Sequence, residues 1–216
     1  MKKIRSGISS SLAAEQQKQR RRRIWLVPLG FLVILFLWVS VNRRSFTAED
    51  LAMGYSYILY QLPLLNVVLL PVMTAVIASR LCDMEIKGNT LKLLYTLQKR
   101  SSFYDWKFIH ELKYLLAFTI GEGIMIPLMG AFCHFTQKLP LPLVFLHVGT
   151  TTLVSLVLLT LQHFLSLMSS NQILPLLVGL IGSFLGLFSM FFPPAAARFV
   201  LWGYFSAFTP FGMEYD

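Results

Sequence analysis

The sequence predicts an all-α polytopic membrane protein with five visible transmembrane helices and a cytoplasmic loop between the second and third. Three observations predict it. Hydrophobic residues are 56% of the 216 and charged residues 13%, about half the charged share of a soluble domain. Mean hydropathy is +0.63, and the apolar residues fall into runs near the roughly 20 residues that cross about 30 Å of hydrocarbon. The positive charge is gathered rather than spread. Of 19 Lys and Arg, eight precede Ile24 (Lys2, Lys3, Arg5, Lys18 and Arg20 to Arg23). Seven more lie in one loop: Arg80, Lys87, Lys92, Lys99, Arg100, Lys107 and Lys113. Basic residues collect in cytoplasmic loops, so the net charge of +9 reads as membrane topology and not as a nucleic-acid footprint.

The elements follow in order. Ile24–Val41 is the first span, retained because no small-residue cleavage site follows it. A short outer segment, Asn42–Asp50, leads to the second span, about Tyr55–Ser79, where Pro63 and Pro71 remove backbone donors and predict kinks. Arg80–Lys113 is the cytoplasmic loop. The third span runs from about Tyr114 to Phe135, the fourth from about Leu143 to Met168, and the fifth from about Ile173 to Phe192. After Pro193-Pro194, the aromatic stretch Phe199–Phe211 is too short to span, and Trp202 and Tyr204 suit an interface, so an outer interfacial or re-entrant helix is expected. Alternation with the N-terminus inside would leave Asp216 outside, and a sixth span is expected beyond it. The domain organisation is one transmembrane domain over 1–216, with a basic cytoplasmic segment at 1–23, the cytoplasmic loop at 80–113 and an outer interfacial segment at 193–216.

Inside the loop, Asn89 suits a helix N-cap. Leu91, Leu94 and Tyr95 then share a face, with Lys92, Lys99 and Arg100 on the polar side. Such a helix either lies on lipid or plugs into a partner's groove. Asp105–Lys113 is expected to be helical and to lead into the third span.

These loop residues resemble those of permease subunits of type-2 ABC exporters. The pattern is an acidic Glu85, a turn at Gly88 and Thr90, the Lys92-Leu93-Leu94 helix, Arg100, then Lys107. Glu15-Gln16-Gln17-Lys18 followed by Arg20 to Arg23 is similar to the entry segment of such permeases. Gly88-Asn89-Thr90 departs from the commoner Gly-Thr pair. The resemblance covers most of the chain in layout, and in residue motifs only Glu15–Arg23 and Glu85–Lys107. Within the family it is most like lantibiotic-immunity and bacitracin-type permeases of Gram-positive bacteria.

That resemblance implies a coupling helix at Asn89–Gln98 that docks on a separate ATPase subunit through Glu85, Thr90, Leu91, Lys92, Leu94, Tyr95 and Gln98. It also implies a second permease copy or paralogue and an amphiphilic substrate such as an antimicrobial peptide. ATP and Mg would sit on the partner subunit, because this chain has no Gly-x-x-x-x-Gly-Lys-Ser/Thr phosphate cradle. The alternative is a non-transporting membrane scaffold or sensor subunit that binds a cytoplasmic partner through the same loop. Gly-x-Ser-x-Gly and His-Glu-x-x-His are both absent, so no catalytic residues are expected.

Polar residues within the spans stand out singly. Glu122, between Gly121 and Gly123, falls near mid-membrane, where a charge costs about 2.5–3.5 kcal/mol. It is either a substrate-path site or a carboxyl bonded to a neighbouring helix, with Gln61 and Asn66 as candidate partners. His147 and His163, 16 residues apart on one span, are expected to bond between helices. Gly179, Gly182 and Gly186 line one side of the fifth span and predict close packing, within the chain or between subunits. Cys82 and Cys133 fall on opposite sides of the membrane and cannot pair. No Cys/His spacing suggests a metal, and none is expected.

Overall fold

The computed structural model describes residues 23–42, 47–87 and 100–207. Among these residues every regular element is helical. The helices are α1 (Leu26–Asn42), α2 (Ala48–Ala52), α3 (Gly54–Lys87), α4 (Arg100–Cys133), α5 (Leu141–Met168) and α6 (Ile173–Phe188). They are followed by a 3-10 turn at Ser189–Phe191, α7 (Pro194–Ala197), a second 3-10 turn at Leu201–Gly203, and α8 (Tyr204–Ala207). Four helices are long and apolar enough to cross a membrane, with Leu26–Val41 as a shorter apolar helix.

α3 is the hub. It touches α1, α4, α5, α6 and α8. In its most apolar stretch 67% of residues are buried, against 33% in α5 and in α6. Its buried residues (Ile58, Leu62, Leu70, Met73, Ile77) form the centre of the core. By contrast, α4 turns Ile109, Leu116, Ile120, Ile124, Leu128 and Phe132 outward. An exposed apolar stripe that long would be an aggregation site in water; in a bilayer it is the lipid-facing side.

Two expected boundaries move. The second and third spans were expected to end and begin at Ser79 and Tyr114, yet α3 runs on to Lys87 and α4 already starts at Arg100. Hydropathy marks where the lipid gives out. The helix continues as long as its residues favour it, and neither Arg80–Lys87 nor Arg100–Lys113 contains Pro or Gly. In the aromatic tail the 3-10 turn at Leu201–Gly203 runs directly into α8 at Tyr204–Ala207, and residues 208–211 of the expected helix lie outside the described residues. The tail packs back on the bundle, with Phe205 buried in the core.

The connections are tightly bonded. α4 ends with His134 at φ 59°. Phe135 N donates to Gly130 O at 3.0 Å and His134 N to Ala131 O at 3.4 Å, the paired bonds of a Schellman close. Next in the chain, Gln137 caps the start of α3: its Oε1 accepts from Tyr55 N and Ser56 N, and its Nε2 donates to Ser56 Oγ. At the turn between α5 and α6, Gln172 Nε2 donates to Ser166 O and Ser169 O, and Asn171 Oδ1 accepts from Ile173 N. The free backbone groups of both helix ends thus find partners.

Candidate functional site

Two buried acid–imidazole pairs join α4 to α5. The first is at Glu122, whose side chain is wholly buried. Its Oε1 accepts from Asn66 Nδ2 of α3 at 2.8 Å and lies 3.1 Å from His147 Nε2 of α5. That nitrogen donates in the tautomer that carries its proton. One carboxyl oxygen therefore ties three helices together. The flanking glycines explain how the helices come so close. A Cβ on Gly121 would stand 2.6 Å from Leu32 Cδ1 of α1, and one on Gly123 2.8 Å from Val148 Cγ2 of α5. Gln61, the other candidate partner, makes no hydrogen bond to Glu122, and its buried Oε1 has no partner.

The second pair lies 11 residues earlier on α4. That is three helical turns, so Glu111 and Glu122 fall on one stripe. His163 Nδ1 is 2.9 Å from Glu111 Oε1 and 2.8 Å from Oε2. Tyr104 and Phe108 meet the imidazole edge-on at centroid distances of 4.3 and 5.4 Å. Lys107, 1% exposed, donates from Nζ to Leu81 O of α3 at 2.7 Å, and Cys82 follows Leu81 into the same cluster.

Sequence reasoning missed this second cluster because it counted Lys107 and Glu111 as charges of a water-exposed loop. Both are buried. Burial is tolerated because ammonium, carboxyl and imidazole partner one another and a carbonyl across three helices. A signal was present: Tyr104, Lys107, Phe108 and Glu111 recur at three- and four-residue steps on one face, while Ile109 lies outside it and is exposed.

Among the expected docking residues, Thr90, Leu91, Lys92, Leu94, Tyr95 and Gln98 lie outside the described residues, as does the whole Asn89–Gln98 segment. Glu85 falls in the last turn of α3. Gly179, Gly182 and Gly186 are buried and face inward within the chain. A Cβ on Gly179 would meet Ala75 Cβ at 2.7 Å and Pro71 O at 2.8 Å; one on Gly186 would meet Val67 Cγ1 at 2.8 Å and Trp202 O at 2.9 Å; one on Gly182 would run into the Trp202 indole. Ser183, between them, donates to Val68 O at 2.8 Å. The glycine face is therefore taken up by α3 and the returning tail. Cys82 and Cys133 are buried, are not joined in a disulfide and lie near opposite ends of the bundle.

A bundle of apolar helices with its polar side chains bonded inside and an apolar outer face suits a bilayer. Neither the curated proteins nor the solved structures contain a match to this chain. Residues 11–186, most of its length, match the model of the family described as ABC-2 family transporter protein; the chain belongs to that family, as the multi-pass permease subunit of an ABC transporter whose ATPase is a partner chain.

Proposed function

We propose that this permease serves a bacterial exporter, with its N-terminus on the cytoplasmic side, and that residues 88–99 dock on the ATPase. One observation carries the reading. α3 and α4 are each 34 residues long, about 50 Å at 1.5 Å per residue, against roughly 30 Å of hydrocarbon. They extend to Lys87 and Arg100, the two ends of that segment. Arg80, Asp105 and Lys113 are exposed toward this end, a charge placement that supports a cytoplasmic face. Two long rigid helices that flank one segment are suited to carry a push from an engine bound there. Glu85, Thr90, Leu91, Lys92, Leu94, Tyr95 and Gln98 supply the docking surface, and ATP and its Mg stay on the partner chain.

The substrate is an amphiphile, for which an antimicrobial peptide exported for immunity is the best fit. The buried charges at Lys107, Glu111 and Glu122 are bonded to protein groups. They line no open charged pore, so a cargo drawn from the lipid suits the bundle. A second permease copy or paralogue completes the path. Glu122 serves this machine as a fastener between helices: it is wholly buried, and its bonds go to Asn66 and His147.

The test is co-purification. Leu94→Asp with Tyr95→Asp is expected to abolish recovery of the ATPase with the permease at normal membrane levels. Unchanged recovery would reject the docking segment. Membrane-impermeant amine labelling of Lys92 or Lys99 on intact cells would reject the orientation.

A further inference from the structure

Cys82 of α3, Glu111 of α4 and His163 of α5 are far apart in sequence, yet one potential ligand atom from each lies within 4.8 Å of the others. All three residues are at most 1% exposed. Thiolate, carboxylate and imidazole are the donor types of zinc sites. Zinc bonds of about 2.0–2.3 Å bring tetrahedral ligands to within about 4 Å of each other, so the cluster needs only a small contraction. Two of the three donors are already gathered: His163 Nδ1 lies 2.9 and 2.8 Å from the two oxygens of Glu111.

From this geometry we propose a zinc site at Cys82, Glu111 and His163 that clamps α3 and α4, the helices that run on to residues 88–99, to α5. The fourth coordination position goes to water, as in other three-ligand sites. On binding, the Cys82 thiol gives up its proton, and thiolate and carboxylate together balance the 2+ charge. Lys107, bonded to Leu81 O at 2.7 Å, stands beside the site as a neighbour and not as a ligand. Zinc bound here would hold the two flanking helices at a fixed splay and so brake coupling. That consequence rests on the exporter reading; the site itself does not.

The test uses the full chain in lipid nanodiscs without ATPase, so failure of ATPase docking cannot imitate failure of the site. Zinc is expected to bind at one equivalent per chain, and Co2+ to give a thiolate charge-transfer absorption. Cys82→Ser should weaken binding by more than the about 10–100-fold that losing an outer-shell partner costs. Wild-type protein supplies an independent measurement if that variant does not fold. Zinc should slow alkylation of Cys82, a chelator should restore the rate, and Cys133, distant from the site, should not respond. Equal zinc uptake by wild type and Cys82→Ser, or a Cys82 alkylation rate that zinc does not change, would overturn the proposal.

Discussion

The two acid–imidazole pairs use the same chemistry in different surroundings. Glu122 and Glu111 share a stripe of α4, and each meets a histidine of α5. Glu122 has a neutral amide, Asn66, as its other partner. Glu111 instead lies in the field of a buried ammonium, Lys107. Both pairs are within ion-pair distance, and only the second has a lysine beside it. Near mid-membrane no water can replace a lost partner, so the Glu122 carboxyl depends on Asn66 and His147. Toward the 88–99 end, where headgroups begin, a charged cluster is affordable. Depth in the bilayer thus decides which kind of polar contact a span can hold.

The largest expected effect breaks the first pair. Glu122→Ala strands Asn66 and His147 together and should destabilise the protein by about 3–5 kcal/mol, measured by thermal unfolding in detergent. Next comes Lys107→Met, which removes the ammonium beside Glu111 and its bond to Leu81 O. A loss of about 1–3 kcal/mol is expected. If it matched Glu122→Ala, the contrast between the two clusters would be wrong. Glu122→Gln keeps an acceptor for Asn66 and should cost only about 1 kcal/mol. It should leave export intact at equal protein levels, whereas lost export would make the carboxyl a substrate contact. The smallest effect is a control at the far end of α4. His134→Gly relieves a left-handed residue and should stabilise by about 1 kcal/mol, leaving both clusters unchanged.

Much of this was legible in the sequence. The spans follow from the lengths of the apolar runs, and Glu122 and Asn66 stand out as polar residues inside them. The pairing of Glu122 with His147 was not legible, because 25 positions and a turn separate them. Lys107 and Glu111 were misplaced for a physical reason: composition cannot tell a solvated charge from one bonded across helices. The helical extension to Lys87 was hidden for a related reason, since a charged residue lowers hydropathy without ending a helix; before the third span, helix was expected from Asp105 and starts at Arg100. Gly179 and Gly186 announced a close approach, but only the fold shows that α3 and the returning tail take it up.

The bond from Gln137 to the first turn of α3 has a mechanical meaning. It pins the start of that rod to the link between α4 and α5, while the opposite end stands clear of the hydrocarbon. A beam hinged at one tip and driven at the other swings instead of sliding. With the ATPase docked at residues 88–99 as proposed, a stroke delivered near Lys87 would sweep widest there and fade toward Tyr55.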